Sequence, residues 1–209
     1  VVNFSLNNID SYNKLTYLIN SKGVLKVKNE FTYSGSLKDA QMPRFGMNFT
    51  MPKNYKNIVW YGRGPHENYI DRKSSAFVGL YENLVEELDF EYSRPQENGY
   101  RTDVRWFRAL NENNIGFEIK GEPLISFSAH YNTIEDFDDG LRPNNPGEKV
   151  GTRKRIIKRQ RKPIDVPKRD FISLNIDLKQ MGVGGDNSWG ARTLPKYTIK
   201  PGNYTYSFI

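Results

Sequence analysis

Along much of this chain, apolar side chains return at every second position. Leu25, Val27, Phe31 and Tyr33 alternate with Lys26, Lys28, Glu30 and Thr32, and Phe45, Met47, Phe49 and Met51 alternate with Arg44, Gly46, Asn48 and Thr50. Ile115, Phe117 and Ile119 flank Gly116 and Glu118, and Ile125, Phe127 and Ala129 flank Ser126 and Ser128. Ile172, Leu174, Ile176 and Leu178 alternate with Ser173, Asn175 and Asp177, and Tyr204, Tyr206 and Phe208 end the chain. A period of two sends successive side chains to opposite faces, so each stretch predicts a strand with one face inward and a polar face outward. Turn residues separate the stretches at Ser21–Gly23, Asn111–Asn114 and Pro201–Asn203. Helical spacing is scarce. Thr133 to Asp139 suits one short turn, with Thr133 as N-cap and Asp136 three residues on. These features predict an all-β fold, an antiparallel sandwich.

At 209 residues, a single domain spanning 1–209 is the expectation, and aromatic residues at 13% suit a β core. The start at Val1, with no basic-then-apolar leader, reads as a piece excised from a larger protein. No apolar run approaches the roughly 18 residues of a membrane span, so no membrane partner is expected. Without cysteine, disulfides and cysteine-type zinc sites are excluded. His66 and His130 offer no ligand spacing, so no metal site is expected. The formal net charge is +7. Ten Lys or Arg and a single acid, Asp165, lie between 149 and 169, which leaves the rest of the chain slightly acidic. The basicity therefore belongs to one surface excursion, about 142–163. It is read as a solvated hairpin arm around Ile156 and Ile157, and no nucleic-acid partner is expected.

Three polar stretches stand out against this pattern. GRGPHENYIDR (62–72) follows an apolar strand and crowds His66, Glu67, Asn68, Asp71 and Arg72 into a short loop. An internal ionic network that fixes the loop accounts for these charges. RPQENGYR (94–101) carries an Asn-Gly pair suited to a tight hairpin turn, with Glu97 and Arg101 able to reach the first loop. MGVGGDNSWGAR (181–192) places Asp186 and Asn187 close to Trp189 in a glycine-rich loop. An aromatic face beside an acid and an amide can cover the C–H side of a sugar ring and bind its hydroxyls. A bulged loop with Trp189 tucked into the core fits the same residues equally well. The adjacent acids Glu86/Glu87, Glu135/Asp136 and Asp138/Asp139 do not suit a catalytic pair, because neighbours on a strand point to opposite faces.

Taken in order, the three stretches resemble the C-terminal domain of the large β-galactosidases of glycoside hydrolase family 2. PRFGMNF (43–49) and LNIDLKQMG (174–182) are similar to the same domain. The resemblance implies a large antiparallel β-super-sandwich of the galactose mutarotase type. It also implies a parent enzyme that cleaves terminal β-D-galactosides with retention. Trp189, helped by Asp186 and Asn187, would reach the sugar site in a central barrel domain as an aromatic platform. The catalytic glutamates would lie in that barrel, so none is expected here. The implied partners are a galactoside and the barrel domain of the same parent, with a homo-oligomeric parent an open option. No cofactor is expected in this piece, and any Mg2+ or Na+ of the whole enzyme would sit in the barrel. Glu67, Asp71, Arg72, Glu97 and Arg101 are carried over as structural residues only. Two alternatives stay open: a free-standing carbohydrate-binding module, and an aldose epimerase. The epimerase would need a late glutamate as base. The chain has no Glu after Glu148, so Asp177 or Asp186 would have to stand in.

Overall fold

The computed structural model describes residues 1–35, 41–143, 156–160, 162–185 and 191–209, with the backbone alone for 138–143 and 156–160 and the side chain of Asn8 set aside. The strands in chain order are β1 (Val2–Leu6), β2 (Ser11–Ile19), β3 (Leu25–Tyr33), β4 (Arg44–Pro52), β5 (Asn57–Gly64) and β6 (Phe77–Leu84). They continue with β7 (Arg101–Leu110), β8 (Gly116–His130), β9 (Asp138–Pro143), β10 (Ile156–Gln160), β11 (Phe171–Gln180) and β12 (Tyr204–Phe208). One short helix, α1 (Val85–Leu88), follows β6. Every described pairing is antiparallel.

The large sheet runs β1-β2-β3-β12-β8-β7-β5-β6, and β11 bridges β8 and β4. The two apolar stretches around Phe117 and Phe127, read from sequence as separate strands, are one strand, β8. Its middle bends at Gly121, where a Cβ would lie 2.6 Å from Pro123 O and from Ile125 Cγ2. Because of the bend, β8 serves two branches. Gly121 and Glu122 pair with Phe208 and Ser207 on β12, while Ser126 to His130 pair with Asp177 to Ser173 on β11.

The two branches close on one another as a sandwich. Phe45 on β4 packs against Phe31, Tyr204 and Tyr206, with ring centroids 5.6–5.8 Å apart. The Tyr206 hydroxyl donates to Ile176 O across the layers at 2.8 Å. Further along, Phe127 stacks on Phe107 at 4.6 Å and meets the edge of Trp60 at 6.0 Å. Ile172, Leu174 and Ile176 are fully buried in the same core. Each such side chain stabilises the fold by about 1.5–3 kcal/mol when taken from water. The alternation in β3, β4, β8, β11 and β12 thus names the inward faces.

The expectation of a hairpin turn at Asn98-Gly99 is corrected. Asn98-Gly99 does not turn a hairpin, because no strand precedes it between α1 and β7. Asn98 instead ties an irregular segment together, accepting from Phe90 N–H and donating to Gln96 O, both at 3.0 Å. Gly99 has φ +70, and a Cβ there would press on His130 at 2.6 Å. The turn at 134–137 is present as a 3-10 turn with the expected contact back to its cap: the Asp136 carboxylate accepts from Thr133 N–H at 2.9 Å. In the basic excursion, β10 does pair with β9 as a hairpin arm, while 144–155 and 161 lie outside the described residues.

Candidate functional site

The sheet's second face, read as polar and outward, is where the three polar stretches converge. On β4, β11 and the end of β8 this face carries Gly46, Asn48, Asn175, Asp177, Ser126 and Ser128. Asn48 Nδ2 donates to Asn175 Oδ1 at 2.9 Å and to Ser173 Oγ at 3.0 Å, and Asn175 Nδ2 donates to Ser128 Oγ at 2.9 Å. This amide and hydroxyl ladder floors a cleft of about 210 Å³ walled by Glu97, Asn98, His130, Asn132 and Phe137.

At one end of the cleft the face is roofed, and Asp177 is fully buried there. Gly46, directly across the strand pair, makes the room: a Cβ on it would sit 2.6 Å from Asp177 Cγ. Arg44 is the counter-ion, its Nε 3.2 Å from Asp177 Oδ2 and its Nη2 2.8 Å from Glu97 Oε2. Arg44 also donates to Gln180 Oε1 at 2.6 Å. Loss of water pushes the Asp177 carboxyl up to about 7, against the pull of Arg44. The Tyr100 ring lies under the Arg44 guanidinium and stacks on buried Tyr69, 5.5 Å between centroids. Burial raises both phenols well above their ordinary range. Glu97 and Asp177 thus share one guanidinium, which makes them a scaffold and not an acid/base pair. Glu97, expected to meet the first loop, binds Arg44 of β4 instead.

The first loop is held by its own residues and by the second. Glu67 pairs with Arg72 at 2.8 Å, accepts from the Tyr92 hydroxyl, and accepts from Gly99 N–H at 2.8 Å. Arg72 lies over the Tyr69 ring at 4.9 Å. Asn68 accepts from Thr102 N–H and its hydroxyl at 3.0 and 2.6 Å, while donating to His66 O at 3.0 Å. Arg101 is buried and donates to Leu88 O, Gly99 O and Pro65 O at 2.8–3.0 Å, beneath the Trp60 ring. Burial draws its guanidinium down to about 10. The expected network therefore exists for Glu67 and Arg72, and Arg101 does reach the first loop.

Asp71 departs from that network. It binds the third stretch: Oδ2 accepts from Gly184 N–H at 2.8 Å and from the Thr193 hydroxyl at 3.4 Å. Trp189, Asp186 and Asn187 lie outside the described residues. Both stems of their loop are described, and they stand over Asp71, beside the roofed end of the face.

Among the adjacent acids weighed above, Glu87 and Asp136 have structural partners, as do both histidines. Glu87 caps α1 by accepting from Leu84 N–H at 2.8 Å, and Asp136 binds Arg169, with Nε at 3.0 Å. His66 Nε2 lies 3.0 Å from Ser75 Oγ, and His130 Nε2 lies 3.0 Å from Asn98 O. Asp177, a candidate epimerase base, is sealed under Arg44 and Tyr100, out of a substrate's reach. Arg44, Tyr69 and Tyr100 were not singled out from sequence. The polar alternation of β4 is the signal that could have flagged Arg44, two residues before Gly46 and therefore on the face that Asp177 shares.

The fold and these loops define a class, the antiparallel β-sandwich with a polar, loop-roofed sheet face. The chain matches the beta galactosidase small chain family over residues 2–209 and belongs to it. It is 36% identical to a β-galactosidase of Priestia megaterium over 195 residues, covering 93% of this chain and 17% of that protein. Identity is 32% with β-galactosidases of Halalkalibacterium halodurans (190 residues, 90% and 17%) and Vibrio cholerae (166 residues, 79% and 14%). The chain thus spans about one sixth of the length of the relatives it matches.

Proposed function

We propose that this chain is the C-terminal β-sandwich domain of a family 2 β-galactosidase that hydrolyses terminal β-D-galactosides with retention. The observation that carries the reading is the family match along the whole chain, to relatives named as β-galactosidases in which the segment is a small part. Retention needs two carboxyls about 5–5.5 Å apart, which this reading assigns to the barrel domain. The present chain forms one wall of the sugar site. Trp189 is the platform for the C–H face of the galactose ring, Asp186 and Asn187 bind hydroxyls, and the Glu67, Glu97 and Arg101 networks hold the loops against the sheet.

The test is an antibody to this chain applied to an extract of the source cells. It should capture a polypeptide several times heavier than 24.3 kDa together with hydrolysis of nitrophenyl β-galactoside. A 24.3 kDa polypeptide captured without that activity would overturn the reading. A second reading, a free-standing saccharide-binding module, draws on the amide- and hydroxyl-floored cleft. Calorimetry of the 209-residue chain with galactose and lactose separates the two, since a half-built sugar wall gives little or no heat.

A further inference from the structure

Asp71 sits at the tip of a tight turn closed by Tyr69 and Arg72, whose backbones pair in both directions at 2.9 and 3.3 Å. Tyr69 is fully buried on Tyr100, so the turn has a rigid base. From there one carboxylate oxygen reaches across 113 and 122 residues of chain to Gly184 and Thr193, on opposite stems of the third loop. The stems and the carboxylate are in close contact. A Cβ on Gly182 would lie 2.5 Å from Thr193 Oγ1 and 2.6 Å from Asp71 Cγ. Gly184 has φ +65, and its Cβ position is 3.3 Å from Ala191 O. The incoming stem is tied on its other side, Met181 N–H to Pro43 O at 2.9 Å and Gly182 N–H to Tyr197 O at 2.8 Å. Gly182 and Gly184 therefore have a local reason: they let two backbones close on a foreign carboxylate. A hydrogen bond from a backbone N–H to a carboxylate is about twice as strong as a neutral one.

We infer that Asp71 is a positioning residue of the sugar site: its carboxylate clips both stems of the 185–192 loop to the 62–72 loop and so fixes where Trp189 is presented. The inference rests on the platform reading of Trp189. Asp71 touches no substrate and acts through the loop.

The test is a double-mutant cycle in the full-length enzyme that carries this chain, using Asp71→Ala, Trp189→Ala and the pair. Asp71→Ala should raise KM for a nitrophenyl galactoside about tenfold, the loss of a charge-assisted bond at the loop's root. The pair should be no worse than Trp189→Ala alone, because both changes remove one function. Effects that multiply would mean Asp71 acts apart from the platform and would overturn the inference. A wild-type KM for Asp71→Ala beside a crippled Trp189→Ala would overturn it too, while leaving the platform reading standing. A silent Trp189→Ala would sink both. Should Asp71→Ala not yield folded enzyme, Asp71→Asn carries the same cycle with the volume kept. Its amide oxygen still accepts from Gly184, so its KM should fall between wild type and Trp189→Ala. Hydrogen exchange at the Gly184 amide reads the clip independently of activity: slow in wild type, faster in Asp71→Ala, which has no acceptor there. An equal rate in both would refute the clip.

Discussion

Replacing Asp177 with Asn should reshape the pH dependence of stability. Burial raises this carboxyl from 3.8 to about 7 in the folded chain. Between those values the folded state holds a proton that the unfolded state has shed. The stability this group contributes is therefore whole below about pH 4, falls as pH rises toward 7, and is level above that. The displacement of about three pH units corresponds to about 4 kcal/mol across the window. Asp89, Asp103 and Asp136 are shifted the other way, Asp103 by the Arg63 and Lys73 bonds that outweigh its burial, and they lose stability only on acidification. Subtracting the Asp177→Asn curve removes those groups and isolates Asp177. Urea unfolding of both chains, followed by circular dichroism from pH 4.5 to 8.5, gives the difference. Wild type should lose about 3–4 kcal/mol relative to the variant over that range. Parallel curves, within about 1 kcal/mol, would refute the burial account of Asp177.

Two further substitutions probe the same scaffold. Arg101→Lys keeps a charge but loses the planar fork, leaving at least one of the Leu88, Gly99 and Pro65 carbonyls unpaired in the interior, and should lower unfolding free energy by about 2–4 kcal/mol in denaturant titration. Gly46→Ala drives a methyl into the Asp177 carboxylate and should cost about 3 kcal/mol or more, read as a lower melting temperature; a wild-type melt would mean the β4–β11 pair is looser than described.

The inward faces of β3, β4, β11 and β12 were legible because one side of each strand meets the core and the other is polar. β7 was not, since Arg101 and Thr102 are both buried and Asp103 takes φ +53 where the register with β8 shifts, breaking the period. β1 and β2 form the sheet edge and bury few side chains, so their pattern is weak. The three loops of the candidate site could be picked out as loops by their glycines and charges. Their meeting could not, because Asp71 and Gly184 are 113 residues apart and only the sheet brings them together. Asp177 obeyed the alternation and still ended buried: the face it lies on is polar but roofed. That roof is built by tertiary contacts from Tyr100 and Arg44, which no period reports.

The central claim is that this chain offers Trp189 to a galactose ring in a larger enzyme. Steady-state kinetics of Trp189→Ala and Trp189→Phe in that enzyme test it most directly. The account predicts that Ala weakens galactoside binding by about 1–3 kcal/mol, a rise in KM of about 5- to 150-fold, and that Phe restores most of it. Wild-type KM and kcat in both variants would contradict it.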